Sequence, residues 1–183
     1  MLSESTNLTE RIVEQCKRGD ERAQHAIYKQ YVRAMYNVAY RMVANQFDAE
    51  DVVQDAFVKA FKKVGNLKEN KAFGAWLKQI VIHEAIGLIR KNKNKEIKLE
   101  WVDELPDSES DEPDNDLPME QVMNAIIDLP QGARVVFTLR VVEGYKFAEI
   151  AQLTGLTENN CKVQFHRSKK LLNTKLKSIL YVG

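Results

Sequence analysis

The chain has 183 residues, of which 44% are hydrophobic and 29% charged, a composition typical of a folded globular protein. Its two cysteines lie far apart and its three histidines are scattered, which argues against a disulfide framework, a metal site and a catalytic constellation. The formal net charge of +1 excludes neither a nucleic-acid partner nor a protein partner, because the charges are segregated along the chain.

The amino-terminal segment MLSESTNLTE carries neither the basic region nor the apolar region of a secretory signal. No run of residues reaches the roughly 18 consecutive apolar positions of a membrane span. Cys16 and Cys161 suit a reducing compartment. We therefore expect a cytoplasmic protein without direct membrane insertion, and without a cofactor or a bound metal.

Apolar residues recur at helical spacing in most windows, and only 8 Gly and 4 Pro interrupt them, which predicts an all-α protein. The first strong helix is expected over about 21–45. Its core face is formed by Ala26, Ile27, Tyr31, Met35, Val38, Ala39 and Met42.

A second helix is expected to begin at Asp48, as its capping residue, and to end at Gly65. Its apolar stripe is Val52, Val53, Ala56, Phe57, Ala60, Phe61 and Val64. The polar loop GNLKENKA leads to a third helix over about 73–91. Its expected buried residues are Trp76, Leu77, Ile80, Val81, Ala85, Leu88 and Ile89. These three helices form a predicted domain of residues 1–95.

Residues 96–118 read as a flexible acidic linker. From Trp101 to Glu120 there are nine acidic residues and no Lys or Arg, and three prolines interrupt the same stretch. The rest of the chain contains all 27 Lys and Arg residues but only 17 of the 26 acidic residues, so its formal net charge is +10. This distribution suggests a protein that binds a polyanion, although two basic domains joined by a solvated linker remain an alternative.

A second domain, residues 119–183, is expected to contain helices over about 119–127, 131–142, 146–153 and 157–181. The breaks between them are Pro130, Gly144 and Gly155. Its expected core is Val122, Ile126, Leu129, Val136, Phe137, Leu139, Ile150, Ala151, Leu156 and Phe165.

The last two helices have the spacing of a helix-turn-helix: Ala151, then Gly155 in the turn, Leu156 at the interface and Cys161 buried. Thr157 is expected to cap the second of them. A plain helical hairpin with a solvated polar face would give the same pattern. From residue 131 onward the chain contains nine Lys and Arg residues and only three Glu residues, and this excess of positive charge favours DNA binding.

Two further surfaces have opposite character. Glu50, Asp51, Gln54 and Asp55 would repel phosphates and indicate a protein partner, although Glu50 and Asp51 also complement the helix dipole. The loop and the third helix instead combine cations, amides and aromatic rings, as binding of unpaired bases requires, although aromatic residues such as Phe73 and Trp76 are individually more often core residues. These residues are Lys62, Lys63, Asn66, Lys68, Asn70, Lys71, Phe73, Trp76 and Lys78, followed by a basic tail of Arg90, Lys91, Lys93, Lys95 and Lys98.

Together these segments resemble the extracytoplasmic-function sigma factors of bacterial RNA polymerase. FDAEDVVQDAFVKAFKKV resembles region 2.2, which implies that the clamp helices of the largest polymerase subunit are contacted by Asp51, Gln54, Asp55 and Phe57. FGAWLKQIVIHEAIGLIRK resembles regions 2.3 and 2.4, and the preceding loop matches one that captures a base flipped from the minus 10 element. The implied minus 10 contacts are Asn66, Asn70, Lys71, Trp76, Lys78, Arg90 and Lys91.

The carboxy-terminal segment LPQGARVVFTLRVVEGYKFAEIAQLTGLTENNCKVQFHRSKKLL resembles region 4, which reads the minus 35 element and meets the flap of the second-largest subunit. The implied minus 35 contacts are Glu158, Asn159, Lys162, Gln164, His166, Arg167 and Lys169. His83 and Gly87 depart from the Asn and Asp that the family often carries in its third helix. Residues 160–164 lack a cation of the common pattern, so the minus 35 preference is expected to be unusual.

The resemblance implies a sigma factor that binds core RNA polymerase and promoter DNA, initiates transcription without being an enzyme, and is controlled by an anti-sigma factor. It also implies that the linker acids mimic RNA in the polymerase channels. Two alternatives stay open on the residues alone: a conventional helix-turn-helix regulator that binds duplex DNA without polymerase, and a decoy that only sequesters an anti-sigma factor.

Overall fold

The structure is a computed structural model that describes residues 2–93 and 118–181, with side chains described for 8–92 and 118–178. Most of the predicted linker, 96–118, lies outside the described residues, and so do all of its acidic residues. The boundaries of the linker and of the two domains therefore stay a prediction.

The described part of the chain contains eight α-helices and no strand, which confirms the all-α prediction. Two compact units divide the chain, Met1–Lys91 and Asn92–Gly183. The first four helices are α1 (Leu2–Lys17), α2 (Glu21–Val43), α3 (Gln46–Lys63) and α4 (Phe73–Lys93). The other four are α5 (Met119–Ile127), α6 (Gln131–Phe137), α7 (Phe147–Thr154) and α8 (Glu158–Tyr181).

Helix α1 was not predicted, although its apolar residues Leu8, Ile12 and Cys16 recur at steps of four. The structure shows that α1 is held by packing: Val13 and Cys16 are buried, and the Gln30 amide of α2 donates a hydrogen bond to the Thr9 hydroxyl at 3.0 Å. Tertiary contacts of this kind contribute most of the stability of helices in folded proteins. The first unit therefore has four helices rather than three.

Both ends of α3 differ from the prediction. Asn45 rather than Asp48 is the capping residue, because its side-chain oxygen accepts a hydrogen bond from the Asp48 backbone N–H at 3.0 Å. Asp48 lies in the first turn. Gly65 does not adopt the left-handed conformation, and α3 continues directly into a short 3-10 turn that begins with the buried Val64. Burial of a side chain, rather than a glycine turn, ends this helix.

The core of the first unit forms mainly between α2 and α3. The rings of Tyr28 and Phe57 meet edge to face, with 4.8 Å between their centroids. Ala26 was expected in this core but is exposed, and Ala23 is buried one turn earlier. The side chains that α3 buries are Ala49, Val52, Val53, Ala56, Phe57 and Ala60.

Helix α4 closes the first unit. Of its expected core residues, Ile80, Leu88 and Ile89 are only half-buried. The buried ones are Phe73, Leu77, Val81, Ile82, Ala85 and Ile86. Within the described ranges, the segment Asn70–Asn92 is long and apolar enough to span a membrane by length and composition, a test that the core helices of soluble proteins also pass.

The second unit has a small core between α5, α6 and α8. Ala125, Ile126, Leu129 and Leu172 form its buried cluster. The buried Arg134 of α6 donates hydrogen bonds to the backbone carbonyls of Ile127 and Leu129 at 2.9 and 2.8 Å. Burial lowers the pKa of this guanidinium, and the negative charge of nearby Asp128 offsets part of that shift. The arginine thus ties the end of α5 to α6 across the turn at Pro130.

Two glycines of α4 give a matched test of packing. A Cβ at Gly74 would lie 2.9 Å from Cε1 of Tyr31, a ring held by Phe73 at a centroid distance of 5.5 Å, whereas a Cβ at Gly87 would meet nothing within 4 Å. We expect Gly74→Ala to lower the free energy of unfolding by about 1–2 kcal/mol through overpacking. Gly87→Ala is expected to raise it by up to about 1 kcal/mol through helix propensity. Urea unfolding followed by tryptophan fluorescence measures both, and equal stabilities of the two variants would contradict this packing.

Candidate functional site

The outer face of α3 combines exposed apolar and polar side chains. Phe47, Asp51, Gln54 and Val58 follow one another at steps of four, three and four residues, which places them on one stripe of the helix. Phe47 is 74% exposed and Val58 is 51% exposed. Asp55 lies beside this stripe and is also exposed. We call this surface the α3 face.

Phe57 does not belong to the α3 face. Only 3% of it is exposed, and its ring packs against Tyr28 and Phe61 inside the first unit. The expectation that Phe57 contacts a partner is therefore corrected: its position on the apolar stripe of α3 turns it inward. Sequence reasoning missed Phe47 and Val58, although their spacing with Asp51 and Gln54 was a readable signal.

The composition of the α3 face suits a protein partner. Glu50, Asp51 and Asp55 are exposed and acidic, so they repel phosphates. An apolar side chain lies at each end of the stripe, and large exposed apolar residues flanking polar ones are typical of docking surfaces. Glu50 also accepts a hydrogen bond from the Gln46 amide at 3.1 Å, within the first turn.

The loop between α3 and α4 is built on every third residue. Val64 is the first anchor, Leu67 follows it, Asn70 is half-buried and Phe73 is fully buried. The segments Val64–Asn66 and Asn70–Ala72 are 3-10 turns, in which side chains three residues apart lie above one another. The loop therefore has an inward row and an outward row. We call residues 64–73 the anchored loop.

The outward row carries the polar residues that sequence reasoning assigned to DNA. Asn66, Lys68 and Lys71 are exposed. The ammonium of Lys71 lies 3.2 Å from the Glu69 carboxylate, and both side chains are about two-thirds exposed, so this ion pair is weak. The outward row can thus offer cations and an amide to a nucleic acid.

Asn70 and Trp76, two predicted minus 10 contacts, are less accessible. The Asn70 amide nitrogen donates to the Glu10 carbonyl at 3.3 Å and to the Glu14 carboxylate at 3.2 Å, so it points toward α1. This corrects the expectation that the Asn70 amide faces DNA. The Trp76 ring is half-buried and packs on Phe73, with 5.8 Å between the centroids.

The exposed side of α4 continues from the anchored loop. His83, Gly87, Arg90 and Lys91 are exposed, whereas Lys78 is half-buried. Nδ1 of His83 lies 2.6 Å from the Gln79 carbonyl, which orients the ring along the helix. The side chain of Lys93, and Lys95 and Lys98, lie outside the described residues.

Helices α7 and α8 form the predicted helix-turn-helix. Gly155 has a φ of 73°, which supplies the left-handed turn, and the Thr157 hydroxyl accepts the backbone N–H of Asn160 at 3.1 Å as the cap of α8. Cys161 is fully buried, and this burial raises the pKa of its thiol. The predicted spacing from Ala151 to Cys161 matches this geometry.

The outward side of α8 carries most of the predicted minus 35 contacts, but not Gln164. Only 5% of Gln164 is exposed, because it lies on the inward stripe with Cys161, Ser168 and Leu172. The expectation that Gln164 reaches base edges is therefore corrected. The exposed side chains are Glu158, Asn159, Lys162, His166 and Lys169, and Arg167 is half-exposed.

No group of three or more His, Cys, Asp or Glu side chains that could hold a metal ion is found in the described ranges. The accessible features of both units are instead an acidic and apolar face on α3 and cationic surfaces on the anchored loop, α4 and α8. Such an arrangement suits binding of one protein and one nucleic acid.

Comparison with known proteins gives two family matches. Sigma-70 region 2 matches residues 27–95, which leaves α1 outside, and Sigma-70 region 4 matches residues 119–172. The sigma factor SigV of Bacillus subtilis is 31% identical over 143 residues, which cover 77% of this chain and 83% of SigV. The ECF sigma factor SigW of the same organism is 26% identical over 179 residues, which cover 91% of this chain and 96% of SigW.

Two solved structures have a similar fold. The first, CnrH in complex with the cytosolic domain of CnrY, has a TM-score of 0.52 and 21% identity, and the match covers 93% of this chain and 97% of CnrH. The second, the sigma factor RpoE from Bartonella quintana in complex with the anti-sigma factor NepR, has a TM-score of 0.53 and 21% identity, with 84% and 96% covered. The two regions, in this order, and the match to SigV show that the chain belongs to the sigma-70 family of RNA polymerase sigma factors, and the similarity to SigW over almost its whole length places it in the extracytoplasmic-function group of that family.

Proposed function

We propose that this sigma factor docks on core RNA polymerase through the α3 face, holds the melted minus 10 element with the anchored loop and α4, and contacts the minus 35 element with α8. The observation that carries this assignment is the separation of accessible charge. The α3 face is acidic and bounded by Phe47 and Val58, whereas the other three surfaces present cations.

Promoter melting on this proposal needs no chemistry by the chain, so the chain is not itself an enzyme. A protein that binds separated strands better than the duplex shifts the equilibrium toward melted DNA. Asn66, Lys68 and Lys71 support such binding, because amides and cations can replace the pairing partners and counterions of a displaced strand. Arg90 and Lys91 suit the adjoining duplex phosphates.

The proposed minus 35 contacts all lie on α8. They are Glu158 at its start, followed by Asn159, Lys162, His166, Arg167 and Lys169. Their place at and after the capped start of α8 supports this, because a recognition helix enters the major groove with its first turns. Regulation by an anti-sigma factor and a cytoplasmic location are part of the same proposal. A similar solved structure is a complex with an anti-sigma factor, which supports the first of these.

The docking role predicts a loss of core affinity without a loss of folding. We expect Phe47→Ser, and separately Gln54→Ala combined with Asp55→Ala, to weaken core binding about 10- to 100-fold, the effect of removing interface hot spots. Leu8→Ser is the matched control, because Leu8 is 58% exposed but lies on α1. Fluorescence anisotropy with labelled protein and purified core polymerase measures the affinities. Wild-type affinity in both α3 variants would contradict docking through the α3 face. Absence of core binding by the wild-type protein, with duplex DNA binding intact, would instead favour a conventional helix-turn-helix regulator.

The anchored loop predicts a defect confined to melting. Asn66→Ala combined with Lys71→Ala is expected to reduce open complex on duplex promoter several-fold, since contacts to the displaced strand are lost. A template already unpaired at the minus 10 element should reduce that defect, because the cost of melting has been removed. The yield of short transcripts at saturating holoenzyme measures the defect on both templates, and an equal defect on both would contradict a melting role.

Along α8, two kinds of contact predict two kinds of defect. Lys169→Ala should weaken holoenzyme binding on all promoters and lower the salt dependence by about 0.9 per lost phosphate contact. Asn159→Ala should instead change base preference, with about 1–3 kcal/mol of discrimination lost at one base pair. Lys177→Ala is the control, since it is exposed about 22 Å along the helix from Lys162. Promoter-library binding at several salt concentrations separates these outcomes.

A further inference from the structure

Helix α1 is hydrogen-bonded to the anchored loop at two points. The Lys17 ammonium donates a hydrogen bond to the Leu67 carbonyl at 2.7 Å. Three residues further along the loop, the Asn70 amide donates to the Glu10 carbonyl at 3.3 Å and to the Glu14 carboxylate at 3.2 Å. The outward residues of the loop, which are proposed to hold the displaced strand, lie between and beside these two points.

The orientation of the Asn70 side chain is determined by α1. Its carbonyl oxygen is buried without a hydrogen-bond partner, so only the amide nitrogen gains from this position. A flipped amide would put its oxygen against two acceptors, on Glu10 and Glu14, and lose both hydrogen bonds. A buried acceptor left without a partner is tolerated here because the opposite side of the same amide is bonded.

The anchored loop has few other restraints. Its two 3-10 turns contain three residues each, and the backbone bonds closing them run from the Leu67 N–H to Val64 and from the Ala72 N–H to Glu69, both at 3.0 Å. Turns this short have poor hydrogen-bond geometry and depend on side-chain anchors. Lys17 and Asn70 supply polar anchors where the buried Val64 and Leu67 supply apolar ones.

We propose that α1 is a brace for promoter melting, in which Lys17, Glu14 and Asn70 are positioning residues that hold the anchored loop in its strand-binding conformation without contacting DNA. This inference rests on the proposed melting role of that loop. It assigns a function to a helix that the region 2 match leaves out, and it gives Asn70 a role different from the base contact that its position suggested.

Exchanging the hydrogen-bond donor and acceptor between Asn70 and Glu14 tests the proposal. Asn70→Asp places a carboxylate against the Glu14 carboxylate and the Glu10 carbonyl, so the loop should be displaced. Adding Glu14→Gln supplies an amide that can donate to the new carboxylate and should restore the loop. Glu14→Gln alone keeps an acceptor for Asn70, and Arg18→Ala removes the other partner of Glu14, at 3.7 Å, so both serve as controls.

Holoenzyme carrying each variant is assayed for open complex on a duplex promoter, and hydrogen exchange is measured over the anchored loop. We expect Asn70→Asp to reduce open complex about fivefold or more, the effect of one lost hydrogen bond, and to speed exchange of the loop. The double variant should recover most of both. Lys17→Met, which keeps the aliphatic stem, should reduce open complex to a similar extent, while core affinity and melting temperature stay near wild type.

Three results would overturn the brace. If Asn70→Asp impairs opening while exchange of the loop stays at the wild-type rate, Asn70 acts on DNA rather than on the position of the loop. If exchange of the loop accelerates while opening is unchanged, the loop is braced but its position is irrelevant to melting. If core affinity and melting temperature fall together with opening, the contacts only stabilise the fold. Failure of the wild-type protein to open any promoter in the same assay would instead refute the proposed function itself, and the brace for melting with it.

Discussion

Six side chains of α3 are buried inside the first unit, and this one buried face determines where the rest of α3 points. Because the helix turns by about 100° per residue, burial of Val53, Ala56 and Phe57 places Asp51, Gln54 and Val58 in solvent. The same burial carries the end of α3 to Val64, which is buried in turn. The orientation of the α3 face and the start of the anchored loop are therefore both consequences of how α3 packs.

The anchored loop shows how few residues a functional loop needs for order. Every third residue points inward, and most of the residues between are exposed. The inward row is apolar at Val64, Leu67 and Phe73, but at Asn70 it is polar and depends on α1. A polar anchor needs its partner in place before it stabilises anything, whereas an apolar anchor only needs to leave water. This difference is why α1 matters to the loop.

The second unit has a small core that includes buried polar side chains. Arg134 occupies a buried position that an apolar residue would otherwise fill, and it satisfies carbonyls at the end of α5 that have no helical partner. On α8 the inward stripe is also partly polar, and the buried Ser168 hydroxyl donates to the Phe165 carbonyl at 2.6 Å. Arg134 and Ser168 are thus paired with nearby carbonyls, whereas the hydroxyl of Thr138 is buried without a hydrogen-bond partner.

Local chemistry in the sequence was sufficient to predict the helical class, most helix bounds, and the turn at Gly155 with its cap at Thr157, because periodicity and capping act over a few residues. The charge separation between α3 and α8 was equally visible. Only the tertiary structure decided that Phe57 and Gln164 face inward and that Asn70 is hydrogen-bonded to α1. Each of these depends on how one helix is rotated against another, and a residue at the edge of a stripe is buried or exposed according to that rotation, which no local pattern specifies.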